Sequence, residues 1–363
     1  MKRIGRQLGG LTQLITAMGS EITQVVQDMH GAIANPLGWR GADYVPAPRI
    51  YGAVRLGLRH AGEVAALGAL AADPYRRVSY LDLQSVLNGI FGQLLSAQRS
   101  HYALPMTLHP PRPQPERDAL VLYLHGLCMN ESCWQHTAQQ RFNRRLESVF
   151  NADIAYLRYN TGRHISDNGA RLSRLLEHTP LPPRLILIGH SMGGLLARSA
   201  VHHARQHGHR WVERVSHLAC LGSPHQGALL EQVGNQANRL LAVTPYSRPL
   251  MRLGNLRSDG IRDLRFGYVV EEQWQGLPED APRPRSKVPL DDHIQHLFLA
   301  GTLSEHRTPE PLGDWLVGVD SALARRLYPD APQLTRALFH GMGHMAMLSD
   351  ARTYRALGDW LAL

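Results

Sequence analysis

Cysteine is scarce in this chain. Cys128, Cys133 and Cys220 are its only thiols in 363 residues, so no disulfide framework can hold it and at least one thiol stays unpaired within it. Three cysteines fit a reducing compartment, and the expectation is a cytoplasmic protein. Long apolar runs are also missing. None approaches the roughly 18 residues that a membrane-spanning helix requires, and the most apolar piece, 64–72, is much shorter. The start is basic, but Arg6, Gln7 and Gln13 interrupt the next stretch, so no h-region of a secretory signal is expected. Tight lysine and arginine runs with interleaved aromatics are lacking too, which argues against nucleic acid as a partner. The formal charge is nevertheless +9, carried mostly by arginine. A solvated basic surface accounts for it, and an anionic membrane surface or acidic partner is the sharper reading.

The residues that are present centre on 183–198. Leu185, Ile186, Leu187 and Ile188 form a short continuous apolar run, as a parallel strand covered on both faces requires. Leu195, Leu196 and Ala197 open a helix of good formers. Between them stands Gly189-His190-Ser191-Met192-Gly193-Gly194, a G-x-S-x-G elbow. Its glycines let strand and helix approach closely, while the serine takes a strained conformation that exposes its hydroxyl at the carboxyl edge of a sheet.

Apolar residues at threes and fours from Leu8 to Met29 predict an amphipathic helix. Residues 51–70 read as a second helix, and Leu81, Leu83, Val86, Leu87, Ile90, Phe91, Leu94 and Leu95 as a third. Residues 1–110 are therefore expected to be a helical extension. Its first helix either packs on the body or lies on a membrane surface or partner. The proline-rich stretch 109–115 reads as a linker. From residue 116 onward strands and helices alternate. Strands are expected at 119–124, 153–159, 185–188, 215–221, 296–300 and 337–340, with helices at 134–149, 165–176 and 350–361. That succession predicts an α/β fold with an open, mostly parallel, doubly wound sheet. Residues 228–292, with a helix-like start at 229–242 and then many prolines and glycines, read as a cap or lid inserted between two strands.

Acyl transfer by a serine needs a base, a carboxylate to orient it and donors for the oxyanion, and on such a sheet the triad runs in the order Ser, acid, His. The loop after the last strand offers His344, with His340 as competitor. The loop after strand 296–300 offers Asp314, with Asp320 second and Glu305 and Glu310 weaker; Asp291 and Asp292 lie at the wrong edge. Asp314 could also serve simply as a helix cap. Leu127, after the first long strand, and Met192, directly after the serine, are the expected backbone oxyanion donors. Cys128 and Cys133 sit on no elbow and read as packing residues. His202, His203, His207 and His209 lack the accompanying Glu or Cys of a metal site and read as a solvated helix end, so neither metal nor cofactor is expected.

Several of these segments together resemble the α/β-hydrolase superfamily. Leu124-His125-Gly126-Leu127 is similar to a lipase oxyanion loop, and Ile188 to Leu195 to a lipase elbow. Leu221-Gly222-Ser223-Pro224-His225-Gln226-Gly227 resembles the family's Gly-Ser/Thr-Pro strand end. Gly313-Asp314-Trp315-Leu316-Val317 resembles its acid loop, although the family often has glycine where Trp315 stands, and Gly343-His344-Met345 resembles its histidine loop. The resemblance covers 119–363 and is nearest to bacterial lipases and esterases, in the branch of triacylglycerol lipases and inositol-deacylase-like proteins. It implies a serine hydrolase of carboxylic esters, lipid-like or smaller, working through an acyl-enzyme. An acyltransferase, or a degenerate hydrolase acting as a membrane-surface or protein-binding module, is the alternative.

Overall fold

The computed structural model describes residues 80–100, 102–110, 113–228, 258–276, 287–305 and 313–363. The expected helices at 8–29, 51–70 and 229–242, and Glu310, lie outside the described residues. A seven-stranded sheet organises the rest, in the order β1-β3-β2-β4-β5-β6-β7. Its strands are β1 (Thr107–His109), β2 (Ala119–Leu124), β3 (Ala152–Arg158), β4 (Arg184–His190), β5 (Val215–Leu221), β6 (Gln295–Thr302) and β7 (Leu334–His340). All neighbours are parallel except β1, which pairs antiparallel with β3 at the edge. The mostly parallel α/β sheet is thus the one the alternation of elements predicts. Strand β1 was not expected: three residues before a proline run carry too little pattern to register as a strand.

The apolar runs of β2 and β4 are continuous because both faces of the sheet are covered. Leu120, Leu122, Leu124, Leu185 and Leu187 pack on one side with Ile165, Leu172 and Leu176 of α3 (Ile165–Glu177) and with Leu195 and Leu196 of α4 (Met192–His207). Val121, Tyr123, Ile186 and Ile188 pack on the other with Phe142 and Leu146 of α2 (Thr137–Phe150). Tyr354 and Leu357 of the C-terminal helix Ala351–Trp360 join this second core. At about 25 cal/mol per Å² of apolar surface removed from water, these two layers supply the main stabilisation that a disulfide-free chain needs.

Helix α1 (Tyr80–Ala97) is built into this body. Val86, Leu87, Ile90, Phe91 and Leu95 are buried. Asn160 donates to Gly92 O (2.9 Å), Asn130 to Asp82 (2.8 Å), and Ser258 to Gly89 O (2.9 Å). The last of these also ties α1 to the short helix α5 (Asp259–Phe266), the described part of the expected cap region.

Candidate active site

Strand β4 is the middle of the sheet, paired to β2 and β5, and Ser191 is the residue directly beyond it. Its N–H donates to Leu221 O of β5 at 2.8 Å, and its backbone is held at φ 54°, ψ −120°. A non-glycine residue in that region costs of order 1–3 kcal/mol and persists only where the surroundings enforce it. The enforcement is steric. A Cβ on Gly193 would lie 2.1 Å from Leu124 O, and one on Gly189 2.3 Å from Gly194 N, so strand and helix close onto each other on either side of the serine. Ser191 itself is only partly buried.

The oxyanion-loop candidate comes directly after β2. Tyr159 donates to His125 O (2.7 Å), Cys128 N–H donates to Thr161 Oγ1 (3.1 Å), and Cys128 takes φ 61°. These ties turn the loop, and no acceptor among the described residues meets Leu127 N–H. Met192 is the first residue of α4, so its N–H has no acceptor within the helix. One of these two open backbone donors, that of Met192, lies at the helix N-terminus, where partial positive charge concentrates.

Beyond β6, residues 313–317 form a tight turn in which Asp314 N–H donates to Val317 O (3.1 Å). The Asp314 carboxylate divides its work. Oδ1 accepts from the Leu316 and Val317 N–H groups (3.0 and 2.8 Å), while Oδ2 receives His344 Nδ1 at 2.7 Å. No helix starts at Trp315, the next one running from Val319, so the carboxylate closes a turn and not a helix while it also meets the imidazole. Both members of the pair are nearly sealed, Asp314 at 1% exposure and His344 at 6%. Trp315 sits at φ 83°, in left-handed space where glycine is favoured, which gives a physical reason for glycine at this position in similar acid loops. His344 N–H also donates to Asp314 O (3.1 Å), so backbone and ring are held by one residue. Since the carboxylate is acceptor-only, Nδ1 carries the proton and Nε2 is left as the basic nitrogen. No Ser191 Oγ to His344 Nε2 hydrogen bond forms among the described residues; such bonds commonly tighten only around substrate.

The competing residues stand elsewhere. Asp320 is surface-exposed and pairs with Arg325 (3.1 Å), and His340 Nδ1 lies against Ser304 O (3.2 Å). Asp291 pairs with Arg205 ahead of β6. Burial pushes the thiols of Cys128 and Cys220 up to about 12, and that of Cys133 higher still, which leaves them poor nucleophiles. His203 and His207 stack ring on ring (3.9 Å), and His209, with its ring 6.0 and 6.1 Å from theirs, bonds to Ser173 (2.7 Å). Among the described residues no group of three His, Cys, Asp or Glu side chains converges as a metal site would require.

A family model, the PGAP1-like alpha/beta domain, matches residues 117–300, half of the chain and the whole stretch from β2 through the elbow to β6. The chain belongs to that family. Among solved structures, this PGAP1-like domain is similar to the Bacillus licheniformis lipase BlEst2 (18% identity, 71% of this chain and 97% of that one, TM-score 0.45). It is also similar to a Pyrobaculum calidifontis esterase (13%, 82% and 96%, TM-score 0.44). A third is the RedJ thioesterase of the Streptomyces coelicolor prodiginine pathway (19%, 69% and 93%, TM-score 0.41). No curated protein matches the chain at a significant level. No helix among the described residues is long and apolar enough to cross a membrane.

A feature that sequence reasoning missed joins α5 to α3. His164, just before α3, places Nδ1 3.0 Å from Asp263 and Nε2 3.3 Å from Asp259, beneath the Trp274 ring stacked at 3.6 Å. Asp263 also accepts from Ile165 N–H (2.6 Å). Residues a hundred positions apart carry no local signal of such pairing. Burial pulls His164 down, but the Asp263 hydrogen bond, then the charges of Asp263, Asp259 and Asp167, outweigh it and raise its pKa above 6.5. Burial, only partly offset by His164 and reinforced by Asp263 and Asp167, raises Asp259 to about 6. Both groups bind protons more tightly when folded, so each adds stability at low pH that is lost as pH rises through the folded value. The loss runs from about 4 to 6 for Asp259 and from 6.5 upward for His164. Hydrogen–deuterium exchange, corrected for intrinsic rate, is expected to be at least about three-fold faster in 259–274 near pH 8 than near pH 6, with the β4 amides unchanged.

Proposed function

We propose that this PGAP1-like domain is a serine hydrolase of carboxylic esters. The observation that carries the reading is the sealed His344–Asp314 pair at 2.7 Å, on the loops after β7 and β6, at the same sheet edge as the strained Ser191. In this reading Ser191 Oγ attacks the ester carbonyl carbon and its proton passes to His344 Nε2. Asp314 holds the ring in the productive tautomer and balances the imidazolium charge. The Leu127 and Met192 N–H groups receive the oxyanion. Collapse expels the alcohol, which takes the proton from His344. Water then attacks the acyl-enzyme with His344 again as base, releasing the acid and restoring Ser191. Every step needs only these groups and water.

A lipid-like acyl group is the finer part of this reading. Trp315 and Met345, each adjacent in sequence to one of the His–Asp pair, are 39% and 40% exposed and are the apolar side chains the proposal would have an acyl chain meet.

A fluorophosphonate probe is expected to label the wild-type chain and not Ser191→Ala. Hydrolysis of p-nitrophenyl esters should then rise in kcat/KM from acetyl toward octanoyl, by about ten-fold for each few buried methylenes. Equal labelling of both proteins would remove the mechanism. A profile that peaks at acetyl would leave the mechanism and remove the lipid-like preference.

A further inference from the structure

The x of the elbow, His190, has no part in the proposed reaction, yet it occupies a core position. On β4 the even-numbered side chains Ile186 and Ile188 enter the apolar layer with Trp134, Met342 and Met347, and alternation carries His190 toward the same side. Its exposure is 0%, and the Trp134 ring meets it edge-on at 6.5 Å. An imidazole in such a place is costly unless it makes a specific bond. It makes one: Nε2 lies 3.1 Å from His344 O. A carbonyl oxygen only accepts, so Nε2 carries the proton and donates.

We infer that His190 is a positioning residue, whose Nε2–H holds the His344 backbone at a set distance from the nucleophile strand. The inference rests on the proposed roles of Ser191 and His344. His344 is held at three of its atoms. Two holds come from the acid loop: N–H to Asp314 O and Nδ1–H to Asp314 Oδ2. They set how the ring is turned. Neither ties it to Ser191. The third hold, at the carbonyl, comes from the residue covalently joined to Ser191, so it relates base to nucleophile directly. The two imidazole rings lie 4.7 Å apart. A charge on His190 would therefore oppose the imidazolium that forms on His344. Burial, and next the nearby His344, push the His190 pKa down to about 3, so the holding group stays neutral.

The test compares His190→Phe, which keeps a ring without the donor, with His190→Gln, whose amide offers an N–H at similar reach. Ser191→Ala and His344→Ala are measured alongside on the same ester. His190→Phe is expected to lower kcat about 10- to 100-fold with KM within about two-fold, and His190→Gln to recover most of that loss. Filling the core alone would move thermal stability without this split and without rescue by Gln. His190→Phe with wild-type kcat, while Ser191→Ala and His344→Ala are inactive, overturns the positioning role alone. Turnover surviving in Ser191→Ala or His344→Ala overturns the underlying reaction instead. Should either variant fail to fold, 15N-histidine spectra of the wild-type chain decide. His190 is expected to stay neutral with its proton on Nε2 down to about pH 5, and an Nδ1–H tautomer would end the proposal.

Discussion

Asp314→Asn is expected to lower kcat by about 10³- to 10⁴-fold with little change in KM, whereas Asp320→Asn stays within about two-fold of wild type. The size of the loss comes from the tautomer. Asp314 Oδ2 accepts the hydrogen bond of His344 Nδ1–H at 2.7 Å, and an amide there can present its N–H₂ to that nitrogen instead. The ring proton then moves to Nε2, and the nitrogen facing the reaction can no longer accept from a serine. The loss falls in kcat because substrate does not touch Asp314, which is 1% exposed. The fold should survive. Oδ1 accepts from the Leu316 and Val317 N–H groups, and an asparagine carbonyl can do the same. Asp320 shares none of this, being exposed and paired with Arg325. Steady-state kinetics on one ester, with thermal melting as the control for folding, separate the two. If Asp320→Asn lost activity while Asp314→Asn kept it, the acid would have to be reassigned.

Removing residues 1–100 is expected to abolish folding of the rest. Five apolar side chains of α1 are buried (Val86, Leu87, Ile90, Phe91 and Leu95). At roughly 1.5–3 kcal/mol each, their contacts amount to about 10 kcal/mol, comparable to the whole stability of an ordinary domain. Polar contacts are lost as well: Asn160 would lose Gly92 O, and Asn130 would lose Asp82 and Ser85. A chain beginning at residue 80 keeps all of these contacts. Circular dichroism and urea unfolding of the two truncations form the check: a cooperative transition from 80 onward and none from 101 onward. Cooperative unfolding of the shorter chain at wild-type urea midpoint would show that α1 is an accessory element.

Much of the scaffold was legible because its signals are local. The doubly covered strands read as continuous apolar runs, and the observed β2 and β5 coincide with the expected 119–124 and 215–221. Helix α2 begins three residues later than expected because Glu131–Trp134 forms a separate 3-10 turn, which an apolar pattern cannot distinguish from helix. The site was legible in part. Glycine spacing marks the elbow, and the loop positions of Asp314 and His344 follow from the strand succession. The division of the Asp314 carboxylate between a turn and an imidazole carries no sequence signal, whereas the strain at Trp315 is hinted at only by the glycine that similar loops carry there.

By itself the sequence determined the class of fold and the strand–turn–helix around Ser191, since apolar runs and glycine spacing depend on neighbours within a few residues. Tertiary structure alone decided which side chains meet. His190 reaches His344 across 154 positions, His164 reaches Asp263 across 99, and Asp82 of α1 meets Asn130 of the loop after β2 across 48. Such contacts depend on how strands are ordered and helices laid over them, and the hydrophobic pattern that drives this ordering is blind to the particular polar groups it brings together.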